Sequence, residues 1–185
     1  SNSYSGSGTA VTDLMGNANA TITNGVSFNS TEVKSLNITS ASSNYVLTNA
    51  ISSQSIESVF LWVLPTGNGV ILDELGQSSN NTGWHDSQIE INGSNINFGV
   101  WIYSAGTPQI TSSISLNVWH YVGFTYDGST LEAYVDGVSA GTVMFNRQAP
   151  YNNDFGLYYS IGGESSTNLG DGGFGNFRLG SFQMY

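Results

Sequence analysis

The chain reads as an all-β protein, a two-sheet antiparallel sandwich or jelly roll, on three observations. No segment sustains apolar residues at the i, i+3, i+4, i+7 spacing of a helix. Glycines and Asx-Gly pairs punctuate the chain throughout. Between them lie about fourteen short runs rich in aromatic and β-branched residues, the pattern of closely spaced strands and turns.

Taken in order, Ala20 to Ile22, Val26 to Phe28, Ser35 to Ile38 and Tyr45 to Leu47 are short strand-like runs, the first two separated by the turn pair Asn24-Gly25. Ser58 to Leu64, within SVFLWVLP, is apolar on both faces. That is the mark of a central strand covered on each side, and Pro65, which cannot donate a ladder hydrogen bond, is expected to end it. Gly69 to Leu75 and Gln88 to Ile91 follow. Asn95 to Tyr103 holds FGVWIY, with Phe98, Val100 and Ile102 on one apolar face and Trp101 and Tyr103 opposite, on a face that reads as an exposed aromatic platform. After Ile110 to Ser113 comes the most legible stretch, NVWHYVGFTYDGSTLEAYVDG, residues 117–137. Its strands are Trp119 to Tyr126 and Leu131 to Val135, joined at Asp127-Gly128, and Asp136-Gly137 turns the chain again. Alternation puts His120, Val122, Phe124 and Tyr126 on the core side with Leu131, Ala133 and Val135, and turns Trp119, Tyr121, Gly123 and Thr125 away. Gly141 to Phe145, Tyr158 to Gly162 and Phe174 to Tyr185 complete the set.

The 185 residues, 39% hydrophobic, suffice for one core, so residues 1–185 are read as a single domain with residues 1–8, SNSYSGSG, as a flexible N-terminal segment. Only Lys34, Arg147 and Arg178 are basic against thirteen acidic residues, and the net charge is −10. Without a basic stripe to neutralise phosphate, nucleic acid and anionic lipid are excluded as partners. No apolar run approaches the roughly 20 residues of a membrane span, and an export signal, if one is used, has been removed or lies outside these residues. The absence of cysteine excludes disulfides and thiolate chemistry. Five sequons, at Asn19, Asn29, Asn37, Asn80 and Asn92, are glycosylation candidates. Sequons, neutral polarity and scarce lysine together point to an extracellular setting.

In order along the chain, DLMGNANATITNGVSF, KSLNITSASSNYVLTN, SVFLWVLP, QIEINGSNINFGV, the hairpin above and GGFGNFRLGSFQMY resemble the successive landmarks of laminin-G-like jelly-roll domains of the concanavalin A-like lectin/glucanase superfamily. The hairpin, with its Trp-His, Tyr-Asp-Gly and Tyr-Val-Asp-Gly, carries the most specific part of that likeness. The resemblance implies two antiparallel sheets of about six or seven strands and ligand sites on sheet edges or end loops. It implies calcium as a cofactor, held by Asp side chains and loop carbonyls, with Asp13 and Asp171 as candidates; the alternative for both is turn chemistry.

Some relatives of this fold hydrolyse or eliminate polysaccharides, but the family's Glu-x-Asp-x-x-Glu signature is absent. Asp86 and Glu90 would lie roughly 13 Å apart along a strand, too far to act as a glycosidase pair. No catalytic residues are assigned. Two histidines without a cysteine make no zinc site. His120 is expected to be a packed or hydrogen-bonded strand residue, and His85 to lie in a loop. Sugar recognition needs aromatic faces and polar neighbours. Trp84, His85, Asp86, Trp101, Tyr103, Tyr151, Asn153 and Tyr158 are the candidates for it. The expected function is a non-catalytic recognition or adhesion module on a cell or virion surface, binding a glycan or glycoprotein. The alternatives are a structural domain that assembles with other surface or virion proteins, and an enzyme of the same fold.

Overall fold

A computed structural model describes residues 4–30, 33–51, 56–75, 85–99, 109–144, 158–163 and 173–185. In chain order the strands are β1 (Ala10–Val11), β2 (Ala20–Thr23), β3 (Ser27–Asn29), β4 (Ser35–Ile38), β5 (Tyr45–Thr48), β6 (Glu57–Gly67), β7 (Gly69–Leu75), β8 (His85–Asn92), β9 (Asn95–Gly99), β10 (Gln109–Ser113), β11 (His120–Tyr126), β12 (Thr130–Val135), β13 (Val138–Met144), β14 (Tyr158–Ile161) and β15 (Asn176–Met184). They pair antiparallel into two sheets, one of eight strands in the order β1-β2-β5-β14-β7-β8-β9-β10 and one of seven in the order β13-β12-β11-β6-β15-β4-β3. The seven-stranded sheet is as wide as expected and the eight-stranded one is a strand wider, because β1, only two residues long, is too short to carry a periodic signal.

The core lies between the sheets and is built by period-two alternation. Val59, Leu61 and Val63 of β6 are fully buried, as are Val122 and Phe124 of β11 and Leu131 and Ala133 of β12, and they meet Ile71, Ile89, Ile96, Phe98 and Ile161 of the facing sheet. Tyr4, in the segment expected to be flexible, is buried with this cluster, edge-on to Phe28 at 5.5 Å, with its hydroxyl donating to the Gly8 carbonyl.

β6 differs from its sequence reading in two ways. It does not end at Pro65 but runs on to Gly67, with Pro65 opposite Phe177 of β15. On its other side the β11 ladder has already finished at Val63, and the Pro65 carbonyl accepts the Asn117 amide from the preceding loop at 2.7 Å. The missing proline N–H therefore falls where no ladder bond is owed. Nor is the strand covered on both faces: Trp62 is 45% exposed, and Phe60 and Leu64 beside it are only half-buried.

A buried polar cluster joins the sheets. Tyr159 of β14 lies with its hydroxyl 3.0 Å from Glu57 Oε2 and 2.9 Å from Glu74 Oε2, and Gln88 Nε2 of β8 reaches Glu57 Oε1 at 3.3 Å and Glu74 Oε2 at 3.2 Å. Burial, then the charges of Glu57 and Glu74, push the Tyr159 phenol well above the ordinary tyrosine range, so it stays a donor. The hairpin turns follow their chemistry. Asp136 (φ 53°) and Gly137 (φ 79°) both take the left-handed conformation of a two-residue turn. Asp127 Oδ1 accepts the amides of Ser129 and Thr130 and the Ser129 hydroxyl, and these bonds hold its carboxyl below the usual aspartate range.

Two outcomes are expected. Tyr159→Phe removes the one hydroxyl shared by two buried carboxyls and should cost about 1–3 kcal/mol in denaturant unfolding without changing the circular dichroism spectrum. The Asp127 carboxylate stabilises the fold above its unfolded pKa, and that stabilisation disappears as pH falls through the lower folded value. Asp127→Asn, which keeps the turn acceptor but cannot titrate, should therefore flatten the decline of the melting temperature below about pH 4.

Candidate functional site

The side chains of β6 that point away from the core meet those of its neighbours on the outer face of the seven-stranded sheet. Register sets the rows. Tyr134 of β12 is opposite Gly123 of β11, which is opposite Phe60 of β6, while Tyr121 of β11 is opposite Trp62. The Phe60 and Tyr121 rings stack at 5.4 Å with 15° between planes; Tyr134 lies 6.0 Å from Phe60, and Trp62 lies 5.4 Å from Tyr121. Tyr121 donates its hydroxyl to Gln183 Oε1 of β15 at 3.0 Å. The result is a band of aromatic rings across three strands.

Two glycines let these rings come close to the sheet. A Cβ at Gly123 would collide with the Phe60 ring and the Val59 carbonyl, and one at Gly180 would stand 3.3 Å from both Trp62 and Trp119. Trp62 and Trp119 thereby wall a shallow groove of about 340 Å³ that, among the described residues, Val33, Gly180 and Ser181 also line. The Arg178 guanidinium lies over the Trp119 ring, 5.3 Å from its centroid.

The loop carrying Trp119 is fixed by His120. Its Nδ1 lies 2.7 Å from Asp136 Oδ2 and its Nε2 3.1 Å from the Ser115 carbonyl, while Asp136 Oδ1 accepts the Tyr121 amide. His120 is thus the packed, hydrogen-bonded residue its position in the hairpin predicts.

Of the residues proposed from sequence, Trp84, Trp101, Tyr103, Tyr151, Asn153, Asp171 and Asn80 lie outside the described residues. His85 and Asp86 belong to a strand, not a loop: they open β8 opposite Leu75 and Glu74 of β7, and only their backbone is described. A ladder partner on β7 extends the strand past the turn-like composition of this stretch. Tyr158 is half-buried on β14, opposite Leu75, so the register sets Tyr158 and His85 in one row on either side of that leucine, in the eight-stranded sheet. This is a different sheet from the aromatic band. In the sequence, alternation turns Trp119 and Tyr121 outward, and the outward alternation of Phe60 and Trp62 is the signal for the rest of the band, whose assembly only the register between strands supplies.

Glu90 accepts a hydrogen bond from Asn97 Nδ2 at 3.0 Å. Asn19 and Asn92 are exposed, whereas Asn29 and Asn37 are half-buried in β3 and β4. The Asp13 carboxylate closes a turn: Oδ1 accepts the Met15 amide at 2.9 Å, and Oδ2 those of Asn17 and Ala18 at 2.6 and 2.9 Å. The Ala18 and Met15 amides, more than the other bonds, lower its pKa. Among the described residues no three His, Asp or Glu side chains converge, and the Asp13 carboxylate is engaged by the amides of its own turn.

Comparison with solved structures returns the same architecture. The chain is similar to the binding domain of botulinum neurotoxin DC in complex with SialylT, at 14% identity and a TM-score of 0.67 over 95% of this chain and 45% of that one. It is similar to a structure of botulinum neurotoxin type C, whose cell entry is dependent upon interaction with two ganglioside molecules, at 16% identity and a TM-score of 0.69 over all of this chain and 46% of that one. It is also similar to the neurotoxin DC binding domain in complex with rat synaptotagmin II, at 16% identity and a TM-score of 0.66. At such identity the likeness is one of fold, and the chain spans less than half the length of these proteins. No curated protein matches it. Residues 39–185 match the concanavalin A-like lectin/glucanases superfamily. Because that match takes in β5 to β15, the strands that build most of both sheets and the whole aromatic band, the chain belongs to this superfamily.

Proposed function

We propose that the chain is a non-catalytic recognition module that binds a glycan or glycoprotein on the outer face of its seven-stranded sheet, in an extracellular setting on a cell or virion surface. The observation that carries this reading is the outward-facing aromatic band, in which Trp62 is 45% exposed and Phe60, Trp119, Tyr121 and Tyr134 are half-buried around it. An aromatic ring at a surface offers an apolar face that suits the C–H face of a pyranose. The Gln183 amide, the Tyr121 and Tyr134 hydroxyls and Ser181 border the band and supply hydrogen bonds for sugar hydroxyls. Similar folds among the toxin binding domains, which engage gangliosides and synaptotagmin, are consistent with it.

A second reading, assembly with another surface protein, draws on the edge strand β13, which leaves Val138 70% and Met144 80% exposed. Edge strands with apolar side chains offer both backbone pairing and burial to a partner.

The purified domain should retain specific structures on a glycan array. Trp62→Ala, at a half-exposed position whose loss leaves the core untouched, should weaken that binding by about tenfold or more at unchanged melting temperature. Retention unaffected by Trp62→Ala would remove the band as the site. The absence of any glycan binding, together with concentration-dependent association in sedimentation, would favour assembly.

A further inference from the structure

We propose that the Trp62–Trp119 groove is a subsite for a carboxylate-bearing sugar residue, an anion-recognising end to the aromatic band, with Arg178 as its charge partner. The inference rests on the glycan-binding reading above and names the chemistry of the residue that occupies this part of it.

The argument begins with the distribution of charge. The chain carries thirteen acidic and three basic residues, so anions are repelled from most of its surface. Yet one of the three, Arg178, stands at this groove, and a second, Lys34, is the chain neighbour of a residue that lines it. Arg178 lies over the Trp119 wall. Lys34 is exposed on the backbone between Val33, which lines the groove, and Ser35. Among the described residues none that lines the groove is acidic. On the same sheet, the acidic side chains of β12 and its turn are engaged elsewhere: Glu132 accepts the Ser139 hydroxyl, and Asp136 holds His120 and the Tyr121 amide.

Arg178 is also fixed in place. Its Nε and Nη2 donate to Ser35 Oγ at 3.1 and 3.0 Å, and Nη2 reaches the Val33 carbonyl at 3.4 Å. Stacking on Trp119 restrains the guanidinium plane as well. Among the described residues these bonds use Nε and Nη2 and leave the two N–H groups of Nη1 for a ligand. A neutral acceptor pair, a hydroxyl and a carbonyl, holds the group without neutralising it, so its full charge remains available. An arginine kept to cover tryptophan alone would need no such tethers, since its stem suffices. A carboxylated pyranose matches both halves of the groove: its apolar face against Trp62, and its carboxylate at Nη1 with Lys34 adding long-range attraction. At about 340 Å³ the groove lies at the small end of the roughly 300–1,000 Å³ usual for ligand pockets, which suits one terminal residue more than a chain interior.

The test compares matched pairs of oligosaccharides, one ending in sialic acid or glucuronic acid and the other in its carboxyl-amidated form, titrated into the domain at two salt concentrations. The acidic member of each pair should bind about tenfold or more tightly, and added salt should narrow the gap. Arg178→Gln should bring the acidic sugar to the affinity of its amide while amide binding persists; Arg178→Lys should keep part of the preference, and Lys34→Gln, at an exposed site, should lower it further. Equal binding of acid and amide by the wild-type domain, or a preference that survives Arg178→Gln, overturns the inference and leaves glycan recognition standing. Binding of neither member, with no Trp62-dependent glycan on the array, removes both. Should Arg178→Gln fail to fold, the acid-to-amide ratio of the wild type and its change in Lys34→Gln still decide.

Discussion

The constraint on which the structure depends is the alternation of β6. Its even and odd residues serve two different solvents: Val59, Leu61 and Val63 close the core, and Phe60, Trp62 and Leu64 face outward. Because β6 sits between β11 and β15, its register fixes theirs. A slip by one residue would exchange the two sets, setting two large aromatic rings into a space packed for valine and leucine. The sandwich and the aromatic band are therefore two consequences of one pairing.

The polar cluster of Glu57, Glu74, Gln88 and Tyr159 works with this constraint. Glu57 opens β6 in one sheet, and the other three come from the facing sheet, so their hydrogen bonds cross the core. Apolar packing between sheets is tolerant of sliding, whereas directional bonds among buried polar groups are not. The cluster thus fixes the position of one sheet on the other at the end where β6 begins.

On the outer face the deciding residues are those without side chains. Gly123 is flanked on β11 by residues with ordinary strand chemistry, and its missing Cβ makes room for the Phe60 ring; Gly180 does the same beside Trp62 and Trp119. Glycine weakens a strand interior by sacrificing packing and entropy. Here that cost coincides with an outward-facing aromatic band, and a fixed arginine ends it. Stability forgone at two strand positions is found beneath the face that carries the proposed recognition.

Much of the molecule was legible in the order of its residues. The fold class, the hairpin of β11 and β12 with its two turns, the inward set from His120 to Tyr126 and the span of β7 follow from period-two alternation and from residues that tolerate positive φ, both local properties of the chain. Other features depended on partners far away in sequence. Pro65 continues a strand because the β11 ladder ends before it, and His85 and Asp86 are strand because β7 lies alongside. SVFLWVLP reads as covered on both faces because a hydrophobic run records apolarity and not what lies over it. The site required the most: Phe60, Trp62, Trp119, Tyr121, Tyr134 and Arg178 come from four strands and a loop, and only pairing register makes them neighbours. Local sequence determined which residues form strands and which side of each is apolar; the tertiary structure decided which outward faces meet, because side-by-side contact in a sheet is set by hydrogen-bond register between segments that the chain itself keeps far apart.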